Sequence, residues 1–134
     1  IAVLRGNRRS FMAEIRIIHP DQREVEIASG AMTRIAGVSE ALTGATGIHL
    51  ATATIPAGCA SGAHRHVNCE SALYIISGHG TFMVGERLGE AIPFGPGDFI
   101  FVPPGAAHQP MADTAGDVEM IVARNTPVEI VEAV

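Results

Sequence analysis

Short runs rich in Ile and Val, each closed by a glycine or proline turn, recur along the chain and leave no room for a long helix. The stretches 14–20, 24–29, 31–37 and 48–56 read as strands, and so do 71–78, 80–85, 98–105 and 117–125. Gly-His-Gly at 78–80, Gly-Pro-Gly at 95–97 and Pro-Pro-Gly at 103–105 mark chain reversals. Residues 39–47 read as a loop with at most one helical turn. Many short strands at regular spacing, with no internal repeat, imply an all-β sandwich or jelly-roll barrel. With no Trp and a single Tyr, its core has to be packed with Val, Ile, Ala, Met and Phe.

The 134 residues suit one domain. A domain of this length buries roughly two thirds of its unfolded surface and needs no staples. Residues 1–12 read as an N-terminal extension, disordered or non-native, with Met12 the expected natural start and 13–134 the domain proper. A formal net charge of −5 argues against nucleic acid or an anionic membrane surface as partner, since both require a basic face. No apolar run reaches the ~18 residues of a membrane span, and no signal peptide is visible. Two cysteines, Cys59 and Cys69, do not make a disulfide framework, so a reduced, cytoplasmic setting is expected.

The chemistry concentrates in 58–70, GCASGAHRHVNCE. On an extended strand, residues two apart face the same side, so His64 and His66 can point together into the barrel, and Glu70 has the same parity. Imidazole and carboxylate suit Mn, Fe(II), Co, Ni or Zn. A His-x-His pair alone is common on polar surfaces. The second stretch, GDFIFVPPGAAHQP at 97–110, gives a strand, a reversing turn and then His108, which the return can set beside the first two histidines. A Cys₂His₂ zinc site using Cys59 and Cys69 has no familiar spacing, and Cys69 is expected to face away from the metal.

These two stretches resemble the motifs of the cupin superfamily. Gly58, His64, His66 and Glu70 match its first motif, with Gly78 arriving one residue late, as a β-bulge would allow. Gly97, Pro103, Gly105 and His108 match its second motif, whose closing Asn is replaced by Ala112. The resemblance implies a cupin double-stranded β-helix, a jelly-roll barrel. It also implies one divalent transition metal (Fe, Mn, Ni or Zn) on His64, His66, Glu70 and His108, and a homodimer.

Three histidines and one carboxylate leave two octahedral positions for water, substrate or O₂. The expected function is that of an enzyme on a small organic molecule, of dioxygenase or isomerase/lyase type. The alternative is a non-catalytic small-molecule or sugar-binding module. Tyr74 is the candidate catalytic side chain, as acid or hydrogen-bond donor, or else a wall residue of the pocket. Arg124 can bind a substrate carboxylate or pair with an acid, and His49 can border the pocket. His19 and His79 read as surface and turn residues, and Phe82, Phe99, Phe101 and Met83 as core. Exposed apolar edges of the N-terminal strands, 14–18 and 24–29, point to a second chain as their cover.

Overall fold

The structure, a computed structural model, describes residues 13–134, so the expected extension 1–12 lies outside the described residues. Eleven strands follow in order: β1 (Glu24–Glu26), β2 (Thr33–Val38), β3 (His49–Ile55), β4 (His64–His66), β5 (Ser71–Ser77), β6 (Gly80–Val84), β7 (Glu90–Phe94), β8 (Phe99–Val102), β9 (His108–Ala112), β10 (Val118–Arg124) and β11 (Val131–Ala133). One helical turn, α1 (Glu40–Thr43), sits in the expected loop. Ser39 caps it by accepting from Leu42 N, and Gly44 closes it at a left-handed φ of 72°. Among the described residues no helix is long and apolar enough to cross a membrane.

The strands form two antiparallel sheets, ordered β1-β2-β3-β10-β5-β8 and β11-β4-β9-β6-β7. This is the expected all-β jelly roll. Alternation puts one face of each strand inside: Ala51, Ala53 and Ile55 of β3, and Leu73 and Ile75 of β5. With Val118 and Met120 of β10 they meet Phe82 and Phe94 from the other sheet, whose rings pack edge to face 5.7 Å apart.

The first expected strand, 14–20, is not one. Residues 14–19 pair with no strand and run into a 3₁₀ turn at Pro20–Gln22, because alternating Ile residues make a strand only where a neighbour offers a ladder. Ile15 and Ile17 stay 90% and 73% exposed. Strand β7 was not expected. Pro93 argues against a strand interior, but β7 closes the edge of its sheet, where a missing N–H costs little. Phe99 and Phe101, expected in the core, lie on the outer face at 82% and 64% exposure, because Ile100 and Val102 take the inward positions of β8.

Two turns position the site. Gly105, at a φ of 81°, lets the Pro-Pro-Gly turn reverse, and its N–H donates to His66 O at 2.7 Å. The turn that leads to β9 is thereby pinned to β4, and His108 pairs directly opposite His64. Gly78, at a φ of 88°, ends β5 where a Cβ would run into the Asp117 carbonyl.

Candidate metal centre

His64, His66 and His108 are all buried and converge inside the barrel, with one ring nitrogen from each lying within 4.8 Å of the others. One ion at about 2.1 Å from each nitrogen spans separations of up to about 4.2 Å, close to what is found. The outward nitrogens fix the tautomers. His64 Nδ1 lies 2.7 Å from Gly62 O and His108 Nδ1 lies 2.9 Å from Ala106 O. A carbonyl only accepts, so both Nδ1 atoms carry the proton. His66 Nδ1 faces Glu129 Oε2 at 3.0 Å, which assigns its proton the same way. The Nε2 atoms are then left with lone pairs and no donor, those of His64 and His66 only 3.1 Å apart. Two lone pairs at that separation repel unless a cation stands between them. The donor set therefore fits a divalent metal.

Burial keeps the imidazoles of His64 and His108 neutral. It outweighs the carbonyl contacts, lowering the pKa of His64 and taking that of His108 from 6.5 down to about 4. At Glu129 burial does not win. Burial would raise its pKa, but the contact with His66 and the guanidiniums of Arg34 and Arg124 bring it down to about 2. Its Oε1 accepts from Arg34 Nη2 at 2.9 Å, and its Oε2 lies 3.4 Å from Arg124 Nη1. Glu129 Oε2 is buried and short of a well-aligned donor, so charge rather than hydrogen-bond geometry holds it beside His66.

The expected fourth ligand is not brought into the group. Beyond β4 the chain bends through 67–70, which breaks the alternation that would have turned Glu70 inward. Glu70 is exposed, while Cys69 is buried with its Sγ 4.0 Å from His66 Nδ1. Cys69 thus faces the histidines rather than away. Its pKa is raised, first by burial and then by the Glu129 charge, which makes it a poor nucleophile. Neither cysteine belongs to the metal-competent group. The buried residue that opens β5 is Ser71, on the wall of the histidine cavity. Counted from Ser71, four residues separate it from His66 and six from Gly78, which satisfies both spacings of the first motif. The bulge in β5 lies downstream, at Ile76, where the ladder with β10 shifts register, and it does not affect Glu70.

Tyr74 lies on the outer face of its sheet, 37% exposed and tilted against Phe99, so it does not line the cavity. Arg124 is committed within the protein, donating to the carbonyls of Thr126 and Pro127 besides facing Glu129. His49 is buried, with its Nε2 2.9 Å from Glu26 Oε2. His19 and His79 are exposed. Sequence reasoning missed Ser71, which the double spacing could have flagged. It also missed Arg34 and Glu129, for which no local motif gives a signal.

The cavity below the histidines holds about 260 Å³, with Met32, Leu73, Phe82, Val102, Met120 and Val122 supplying apolar wall. A second cavity of about 600 Å³, edged by β7 and β8, shares Phe82, Val102 and His108 with it.

A two-sheet barrel with three inward histidines on paired strands defines a β-barrel protein of metal-competent type. The family model of the cupin domain matches residues 51–124, more than half of the chain, and the chain belongs to the cupin family. No curated protein matches it by sequence. Among solved structures it is similar to the polyketide cyclase RemF from Streptomyces resistomycificus, at 19% identity over 90% of this chain and 86% of that one, with a TM-score of 0.76. A predicted oxalate decarboxylase from Thermotoga maritima is similar at 21% identity over 83% and 99%, with a TM-score of 0.67. A Streptomyces nucleoside dehydratase variant with uridine is similar at 17% identity over 92% of each chain, with a TM-score of 0.72. At these identities the likeness is one of fold.

Proposed function

We propose that His64, His66 and His108 hold one divalent transition metal, from among Fe, Mn, Ni and Zn, and that the protein is an enzyme acting on a small organic molecule beside it. The observation that carries this reading is the set of three buried imidazoles whose Nδ1 atoms face acceptors while their Nε2 atoms converge. A bound metal would supply Lewis acidity or, as iron, a place for O₂ and substrate to meet. The protein's own part is to orient and exclude water. The carbonyls of Gly62 and Ala106 hold His64 and His108, and the apolar wall narrows the cavity to about 260 Å³. Ionisable side chains lining it, besides the histidines, are Arg34, Arg124 and Glu129, which engage one another. No free acid or base stands among them, so turnover would have to run through the histidine group. The reaction is of dioxygenase or isomerase/lyase type; the three structural neighbours, a polyketide cyclase, a predicted oxalate decarboxylase and a nucleoside dehydratase, support an enzyme and name no oxygenase.

Elemental analysis of the wild type and of a His66→Ala/His108→Ala double variant tests the site. About one metal per wild-type chain and none in the variant is the expected result; stoichiometric metal in the variant rules the site out. Reaction type follows from oxygen dependence. Substrate-dependent O₂ uptake marks an oxygenase, and product formed anaerobically with several divalent ions marks an isomerase or lyase. A ligand that raises Tm with no turnover under any metal marks the non-catalytic binding module.

A further inference from the structure

The carboxylate that serves the histidines comes from an unexpected part of the chain and is placed by an asparagine. Asn68 Nδ2 donates to Val128 O, and Asn68 Oδ1 accepts from Ile130 N, both at 2.8 Å, while Val67 N donates to Ile130 O at 2.8 Å. This clamp treats 128–130 as an extra strand. Val128 and Ile130 point out, 58% and 57% exposed, and Glu129 between them points in. There it faces the outer nitrogen of His66, not the side on which the three Nε2 atoms converge.

The charge balance of the cavity follows. Glu129 and Glu26 meet Arg34, and Glu129 also meets Arg124, so two carboxylates offset two guanidiniums. Glu70 is exposed, and Ser71 occupies the inward position beside the histidines. A divalent ion held by the three histidines would meet no protein anion on the converging side. Ser29 Oγ, buried and without a partner among the described residues, also belongs to a residue that lines the cavity. It adds a polar atom suited to an oxygen-bearing ligand.

Resting on the metal reading above, we infer that Glu129, set by Asn68, is the positioning residue for His66. By the same reasoning, the missing negative charge is supplied by the ligand: an anionic oxygen chelator, such as a deprotonated hydroxy acid or a dicarboxylate, bound on the side lined by Ser71. A carboxylate against the outer nitrogen of a ligating imidazole, as Glu129 stands 3.0 Å from His66 Nδ1, fixes the ring and raises its basicity, and loss of such a partner costs about 10–100-fold in metal affinity.

The test strips the protein with chelator and titrates it with cobalt(II), reading the visible absorption of the bound ion. Glu70→Gln is expected to bind cobalt within about twofold of wild type, and Glu129→Gln and Asn68→Ala about 10–100-fold more weakly. On the cobalt-loaded wild type, millimolar glycolate shifts the absorption, whereas ethylene glycol, equal in length and neutral, does not. Ser71→Glu, which returns a carboxylate to the wall, binds cobalt at least as tightly and no longer responds to glycolate. If that variant does not fold, the glycolate and glycol pair decides alone. A tenfold loss in Glu70→Gln, wild-type affinity in Glu129→Gln, or equal responses to glycolate and glycol overturns the inference while leaving the metal centre intact. Wild type that takes up no cobalt overturns the metal reading itself.

Discussion

His108 takes a proton in the unfolded chain near 6.5 but in the fold only near 4, because burial disfavours its charged form. Between those values the unfolded state binds more protons, so stability rises with pH there. For the metal-free protein the contribution is complete above pH 6.5 and is lost as pH falls toward 4, on the order of 3 kcal/mol from this residue. His64 adds to the loss in the same direction. Glu129 acts in a lower window. Its folded pKa of about 2 stabilises the protein above pH 4.5, and that contribution fades as pH falls from 4.5 toward 2. Denaturant midpoints of chelated protein at pH 7.5, 5.5 and 4 are expected to fall in that order, and a flat profile contradicts the burial argument. Tyr74→Phe is expected to leave metal content and any turnover unchanged, since the hydroxyl lies on the far side of the sheet from the histidines. The three histidines were legible because strand parity and the Pro-Pro-Gly return both act over a few residues. Glu70 misled because parity holds only while the strand continues, and here the strand stops at His66.

Strand β5 joins the site to the core: Ser71 faces the cavity, Leu73 and Ile75 face the core, and Gly78 turns the chain into β6. Gly78→Ala would force a side chain into a left-handed φ and against the Asp117 carbonyl. It is expected to destabilise the protein by about 3 kcal/mol, read from denaturant unfolding, while Gly85→Ala, at positive φ but in open space, costs about 1 kcal/mol. Equal costs would mean that the close approach to Asp117 is unimportant. Elements with alternating Ile and Val between glycine turns, such as β3, β5 and β10, were readable from sequence because their own pattern specifies them. Strand β11 and the segment that carries Glu129 were not, because their placement depends on Asn68 and β4, some sixty residues earlier in the chain. The isoleucines of 14–18 have strand composition and no partner strand.

The outer face of the six-stranded sheet carries exposed Leu50, Tyr74, Ile76, Phe99 and Phe101, and Ile15, Ile17, Val25 and Ile27 are exposed nearer the N-terminus. A contiguous apolar face of this kind marks a contact surface, and a second copy of the chain is its expected cover. Light scattering at micromolar concentration is expected to give the dimer mass. A Phe99→Glu/Phe101→Glu variant should run as a monomer with its metal content unchanged, and a monomeric wild type refutes the dimer. The barrel has its own core, so chelation is expected to lower Tm without unfolding the protein at room temperature; ion at 100 times its Kd adds only about 2.7 kcal/mol. The strand that carries His64 and His66 is flanked by β9 on one side and, on the other, by β11, whose Val131 pairs with His66 and Ala133 with His64. During synthesis these histidines emerge some sixty residues before the segment that supports them. A nascent chain halted before residue 129 would present three histidines with no Glu129 behind His66, so a metal that depends on Glu129 would be loaded only late in the protein's making.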